Sequence, residues 1–109
     1  MVRSMVFSAA VILGLAAAAS AQDLKAKGAE VFTAQKCSLC HSIAGKGNPK
    51  GALDDVGTKA KPDEIRQWIV DAKGMTVKTQ ATRKPEMKAY TLPKEDVDAL
   101  VSYLGSLKK

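Results

Sequence analysis

The chain has 109 residues, with 17 basic and 11 acidic side chains, two cysteines and one histidine. That is enough for one small domain and too little for two. Two cysteines exclude a scaffold of several disulfides, and the 46% apolar share is unevenly spread, with 16 of the first 21 residues in that class.

Arg3 opens the chain with positive charge, Met5 to Ala19 is an apolar run broken by Ser8 and Gly14, and Ala19-Ser20-Ala21 closes it with small residues. This order predicts a secretory signal peptide over residues 1–21, cleaved after Ala21, and one domain over residues 22–109. An uncleaved membrane anchor needs an apolar span of roughly 20 residues, longer than this one. The expected location is the periplasm, with no stable membrane insertion. Cleavage leaves 34 apolar residues among 88 and a net charge of +5. So small and so polar a chain has difficulty offsetting its ordering entropy alone. Its positive charge favours acidic protein partners. Nucleic acid is not expected, because stacking aromatics are few.

Asp23 is a plausible N-cap for a first helix over Leu24 to Gln35, with apolar residues at Leu24, Val31 and Phe32. Gly28 costs that helix about 1 kcal/mol relative to alanine, which suggests another backbone close by. From Ser42 to Lys61 the breakers Gly45, Gly47, Pro49, Gly51 and Gly57 predict one long loop. A second helix is predicted from Pro62 to about Lys73, with Ile65, Trp68, Ile69 and Ala72 on one face and Gly74 as terminator. Gly74 to Pro93 reads as a second long loop. The final helix, from near Pro93, gathers Val97, Leu100, Val101 and Leu104 on one side. No strand is expected. The predicted fold is all-α, with three main helices and long loops wrapped around something large.

Cys37-Ser38-Leu39-Cys40-His41 is a C-x-x-C-H sequence, the attachment signal for c-type haem. Two thiols at this spacing can each join a vinyl group of the macrocycle, and the adjacent imidazole can bind its iron. A thioredoxin-like dithiol expects a βαβ setting and leaves His41 without a role. A structural zinc site wants four ligands, and a lone disulfide is the plain alternative. Export, the complete motif and the shortage of core residues favour one covalently attached haem c with its iron. With no second histidine, the remaining soft ligand is a methionine, and cleavage leaves Met75 and Met87. Met87 is favoured because its loop, between Pro85 and Tyr90, can return across the far face before the last helix. Met75 can instead pack on the haem wall.

Gly28, Phe32, the C-x-x-C-H run, Leu53 with Gly57, Trp68-Ile69, Met87-Lys88-Ala89-Tyr90 and the Val97 to Leu104 helix together resemble a short bacterial monohaem class I cytochrome c, over essentially the whole of residues 22–109. The resemblance implies the cytochrome c fold, with Gly28 and Phe32 meeting the Leu100 to Leu104 face where the terminal helices cross. It implies Leu53 and Trp68 against the haem, Trp68 near a propionate, and Met87 as the distal ligand. Two positions depart from the family pattern. Gly51 stands where a proline usually offers its carbonyl to the proximal histidine, so that Pro49 or another carbonyl is expected to serve His41. Lys88 stands where a proline often follows the methionine.

An iron bound on both sides by His41 and Met87 has no vacant position, which implies a carrier of single electrons between redox proteins and not an enzyme; a soluble monomer is expected. The alternatives are a five-coordinate haem protein that binds small gases or peroxide, for which the distal loop supplies Arg83 but no histidine, and a haem subunit of a larger oxidoreductase. Lys36, Lys46, Lys50, Lys84, Lys88 and Lys94 flank the two ligand loops. If they gather at the haem edge, they attract an acidic reductase or oxidase.

Overall fold

A computed structural model describes residues 13–109 of the chain. The helices are α1 (Leu13–Ala34), α2 (Val56–Lys59), α3 (Pro62–Val70), α4 (Ala72–Thr79) and α5 (Lys94–Gly105). A two-stranded antiparallel ribbon joins β1 (Ser42–Ile43) to β2 (Lys46–Gly47), pairing Ser42 with Gly47 and Ile43 with Lys46. The architecture is mainly helical, as expected. Three local expectations are corrected.

The first concerns the start of α1. The helix runs from Leu13 through Asp23 without a break, so Asp23 is an interior residue and not a cap. Part of the expected leader, residues 1–12, lies outside the described residues. The second concerns the stretch from Ser42 to Lys61, which contains the β1–β2 ribbon, a 3-10 turn over Pro49–Gly51 and the short α2. The ribbon closes through Ala44 and Gly45, both at positive φ, the sign that two-residue hairpin turns require. Ala44 holds this backbone shape while its N–H donates to Asp54 Oδ1 at 2.7 Å.

The third correction falls after α3. Pro62 and the acidic pair Asp63-Glu64 start that helix, where a missing N–H and negative charge both suit its first turn. It ends at Val70, not Lys73. Asp71 breaks the run and caps the next helix, its Oδ1 accepting from Gly74 N–H at 3.3 Å. Gly74 therefore lies inside α4 and terminates nothing. Gln80, left-handed at φ 55°, ends α4. The remaining distal loop, residues 80–93, is shorter than predicted.

The core forms where α1 crosses α5, with α3 packed against α5. Gly28 is the point of closest approach, since a methyl group there would overlap the Ala99 carbonyl oxygen and Tyr103 Cβ. Beside it, Phe32 meets Tyr103 edge to face, with centroids 6.2 Å apart and planes at 70°. Val31, Val97, Leu100, Val101, Leu104, Ile65 and Ile69 complete the buried cluster. The expected contact of Gly28 and Phe32 with α5 is present. Arg66 Nη2 donates to Asp98 Oδ1 at 2.7 Å, linking α3 to α5. α2 is fastened to the C-terminal tail, with Gly57 N–H on the Leu107 carbonyl at 2.8 Å and Lys109 N–H on Asp55 Oδ1 at 2.8 Å.

Candidate functional site

Past α1, Lys36 takes a left-handed backbone at φ 57° and turns the chain into a 3-10 turn over Cys37–Leu39. Cys40 and His41 N–H groups both donate to the Cys37 carbonyl, at 3.1 and 3.0 Å. This tight winding carries Cys37, Cys40 and His41 onto one wall of a cavity of about 550 Å³, a size suited to a cofactor. Asn48 fixes the turn from behind. Its N–H meets the Ser38 and His41 carbonyls, both at 3.1 Å, and its Nδ2 donates to Leu39 O at 3.3 Å. Nothing in the sequence marked Asn48, because its role depends on the β1–β2 ribbon bringing it back.

Leu53, Trp68 and Met87 line the same cavity, so all six side chains predicted from the sequence border one space. Phe32, Ile65, Ile69, Leu100 and Leu104 supply apolar wall from the helical core. Met75 does not line the cavity. It is 3% exposed within α4, on a buried face that it shares with Ala72. A shallower depression near Lys25, Ser102 and Lys108 contains no cysteine, histidine or methionine.

Cys37 and Cys40 are not bridged to one another. Burial raises the Cys37 thiol above its ordinary value of 9.0, the opposite of the lowered value that a reactive dithiol needs. His41 Nδ1 lies 2.9 Å from the Gly51 carbonyl oxygen. A carbonyl only accepts, so Nδ1 carries the proton and Nε2 keeps its lone pair. Burial lowers the His41 pKa below 6.5, opposed by the Gly51 hydrogen bond and aided by the nearby Arg83 charge. The ring is therefore neutral at pH 7, as an iron-binding imidazole must be. Of the carbonyls expected to serve His41, the one that does so is that of Gly51 and not Pro49, so the position keeps the role without the proline. Two free thiols, a neutral imidazole and a thioether around an apolar cavity fit a tethered haem.

Of the six lysines, Lys36 and Lys88 line the cavity. Lys84 pairs with Glu86 at 2.8 Å, and Lys94 pairs with Asp98 at 2.8 Å. Lys46 and Lys50 are exposed on the ribbon and the 3-10 turn and do not line the cavity. The cluster at the mouth is thus smaller than six lysines, though Arg83 joins it.

The family model described as Cytochrome c matches residues 25–108. The chain is also 27% identical over 96 residues to "Cytochrome c oxidase subunit 2" of Alkalihalophilus pseudofirmus, a match covering 80% of this chain and 27% of that protein. The chain thus spans about a quarter of the length of that relative. No solved structure gives a significant match. The chain belongs to the cytochrome c family, whose members bind covalently attached haem c with its iron and work in haem-based electron transfer.

Proposed function

We propose that this cytochrome c family member is a soluble periplasmic carrier of single electrons, with its haem iron held between His41 and Met87 and no catalytic turnover of its own. The observation that carries the reading is the shared cavity: His41 and Met87 border it, and Met75 does not. Removal of residues 1–21 would release residues 22–109 as the working domain, which the order of charge, apolar run and small residues supports.

Haem c, when bound, supplies a one-electron couple. Cys37 and Cys40 would hold it through thioether bonds, which their two unbridged thiols can supply. His41 Nδ1–H stays on the Gly51 carbonyl, which orients the ring and raises the donor strength of Nε2. Met87 sulfur offers a soft ligand that favours the reduced state more than a second imidazole would. Leu53, Trp68 and the apolar wall keep water from the centre. Lys36, Lys88 and Arg83 at the mouth favour an acidic redox partner and a small, transient contact. Raising salt shortens the screening length to about 8 Å at physiological strength and should slow such encounters.

Absorption spectra of both oxidation states, with and without carbon monoxide, test the assignment. Met87→Ala should abolish the red sulfur-to-iron charge-transfer band and open the reduced iron to carbon monoxide. Loss of that band in Met75→Ala alone would overturn the ligand assignment. Rapid carbon monoxide binding by the unaltered protein would favour the five-coordinate reading. A second reading, a haem-bearing unit of a larger oxidoreductase, draws on the similarity to an oxidase subunit. Co-elution with a stable partner in native extract would favour it over a free monomer.

A further inference from the structure

The distal loop is loosely held. It leaves α4 at Gln80 and rejoins the core at Tyr90, whose N–H donates to the Ile69 carbonyl at 2.8 Å. Between these points, among the described residues, one hydrogen bond ties the loop to a distant part of the chain. Arg83 Nη2 donates to the Cys40 carbonyl at 2.6 Å. The other nitrogen of the same guanidinium, Nη1, occupies space that a side chain on Gly51 would fill. The arginine therefore spans from the loop that bears Met87 to the loop that bears His41, and its planar head rests where the absent side chain leaves room.

We propose that Arg83 is a positioning residue that clasps the methionine-bearing loop to the histidine-bearing loop, and that Gly51 provides the seat for its guanidinium. A guanidinium suits this task because one arm can donate to Cys40 while the other lies against Gly51. A lysine ammonium is a single point and reaches one of the two. Glu86 is the nearest acid in sequence on the loop and is engaged by Lys84, so it does not draw Arg83 away. Opening of a loop tied by so few bonds is governed by those bonds. The effect on the iron rests on the Met87 ligation proposed above; the effect on the loop does not.

The test uses the haem-loaded protein and the variants Arg83→Met and Arg83→Lys. Amide hydrogen exchange at Tyr90 should be roughly tenfold faster in Arg83→Met, the size expected for a partly exposed hydrogen bond from a charged donor. It should be at least threefold faster in Arg83→Lys, on the same reasoning. Exchange within α5 should not change. Carbon monoxide combination with the reduced iron should accelerate in parallel. Tyr90 exchange within twofold of wild type in Arg83→Met would overturn the proposal, and so would a wild-type rate in Arg83→Lys, which would assign the role to charge alone. If Arg83→Met yields no loaded protein, Arg83→Lys decides by the same criterion. If the wild-type protein already binds carbon monoxide at once, the Met87 ligation fails, and the exchange rate at Tyr90 still decides the clasp.

Discussion

Replacing Gly28 with alanine sets two helix effects against each other, and the structure decides which wins. In an isolated helix the change gains about 1 kcal/mol of propensity. Here the new methyl would overlap the Ala99 carbonyl oxygen and Tyr103 Cβ. Neither can swing aside, because one is helix backbone and the other is the root of its side chain. The helices must separate, which strains the Phe32–Tyr103 contact and the cluster around Leu100. Overpacking of this kind costs about 3 kcal/mol, leaving a net loss of about 2 kcal/mol. For a domain of this size that is a fall in Tm of roughly 10 °C. Gly105 provides the opposite case at the last position of α5, where an added methyl meets nothing within 4 Å. Gly105→Ala should raise stability by up to about 1 kcal/mol. Denaturant unfolding of the loaded protein, followed by far-ultraviolet circular dichroism, measures both. Equal or greater stability in Gly28→Ala, or shifts of the same sign in the two variants, would refute the close-crossing account.

Met75→Ala should cost about 2–5 kcal/mol as a core truncation, with the absorption spectrum unchanged. Gly51→Ala would press against the Cys40 carbonyl oxygen and draw its own carbonyl from His41, so the His41 Nδ1 proton should exchange up to about tenfold faster by NMR, the size of a lost neutral hydrogen bond. Asp98 is held below the ordinary carboxylate value of 3.8 by the hydrogen bonds from Lys94 and then Arg66. Its folded pKa is depressed, so its stabilisation is complete above that value and is lost as pH falls through the folded one. Unfolding midpoints measured from pH 7 to pH 3 should therefore fall less steeply in Asp98→Asn than in the parent.

The elements that were legible in the sequence are those whose chemistry is local. Cys37 to His41 declare a tethered cofactor within five consecutive residues. α3 and α5 show their buried faces through Ile65 and Ile69, and through Val97, Leu100, Val101 and Leu104. α4 was hidden because Gly74 resembles a stop signal, and its actual support comes from the Asp71 cap and the burial of Met75. The β1–β2 ribbon depends on Ala44 taking a positive φ, aided by Asp54 from farther along the chain. At Gly51 the missing proline looked like a missing function. A carbonyl belongs to the backbone, however, and a change of side chain need not remove it. Arg83 was visible as a nearby charge, but its reach to Cys40 needed the folded loop.

The crossing of α1 with α5 brings Gly28 against Ala99, far apart in sequence, while the cysteines follow directly after α1. If the chain is exported as proposed, Cys37 and Cys40 would emerge well before Ala99 and Leu100 arrive to complete the interior. The segment that presents them must remain accessible throughout that interval. A change that weakens the crossing would then prolong the half-built stage without touching the anchors.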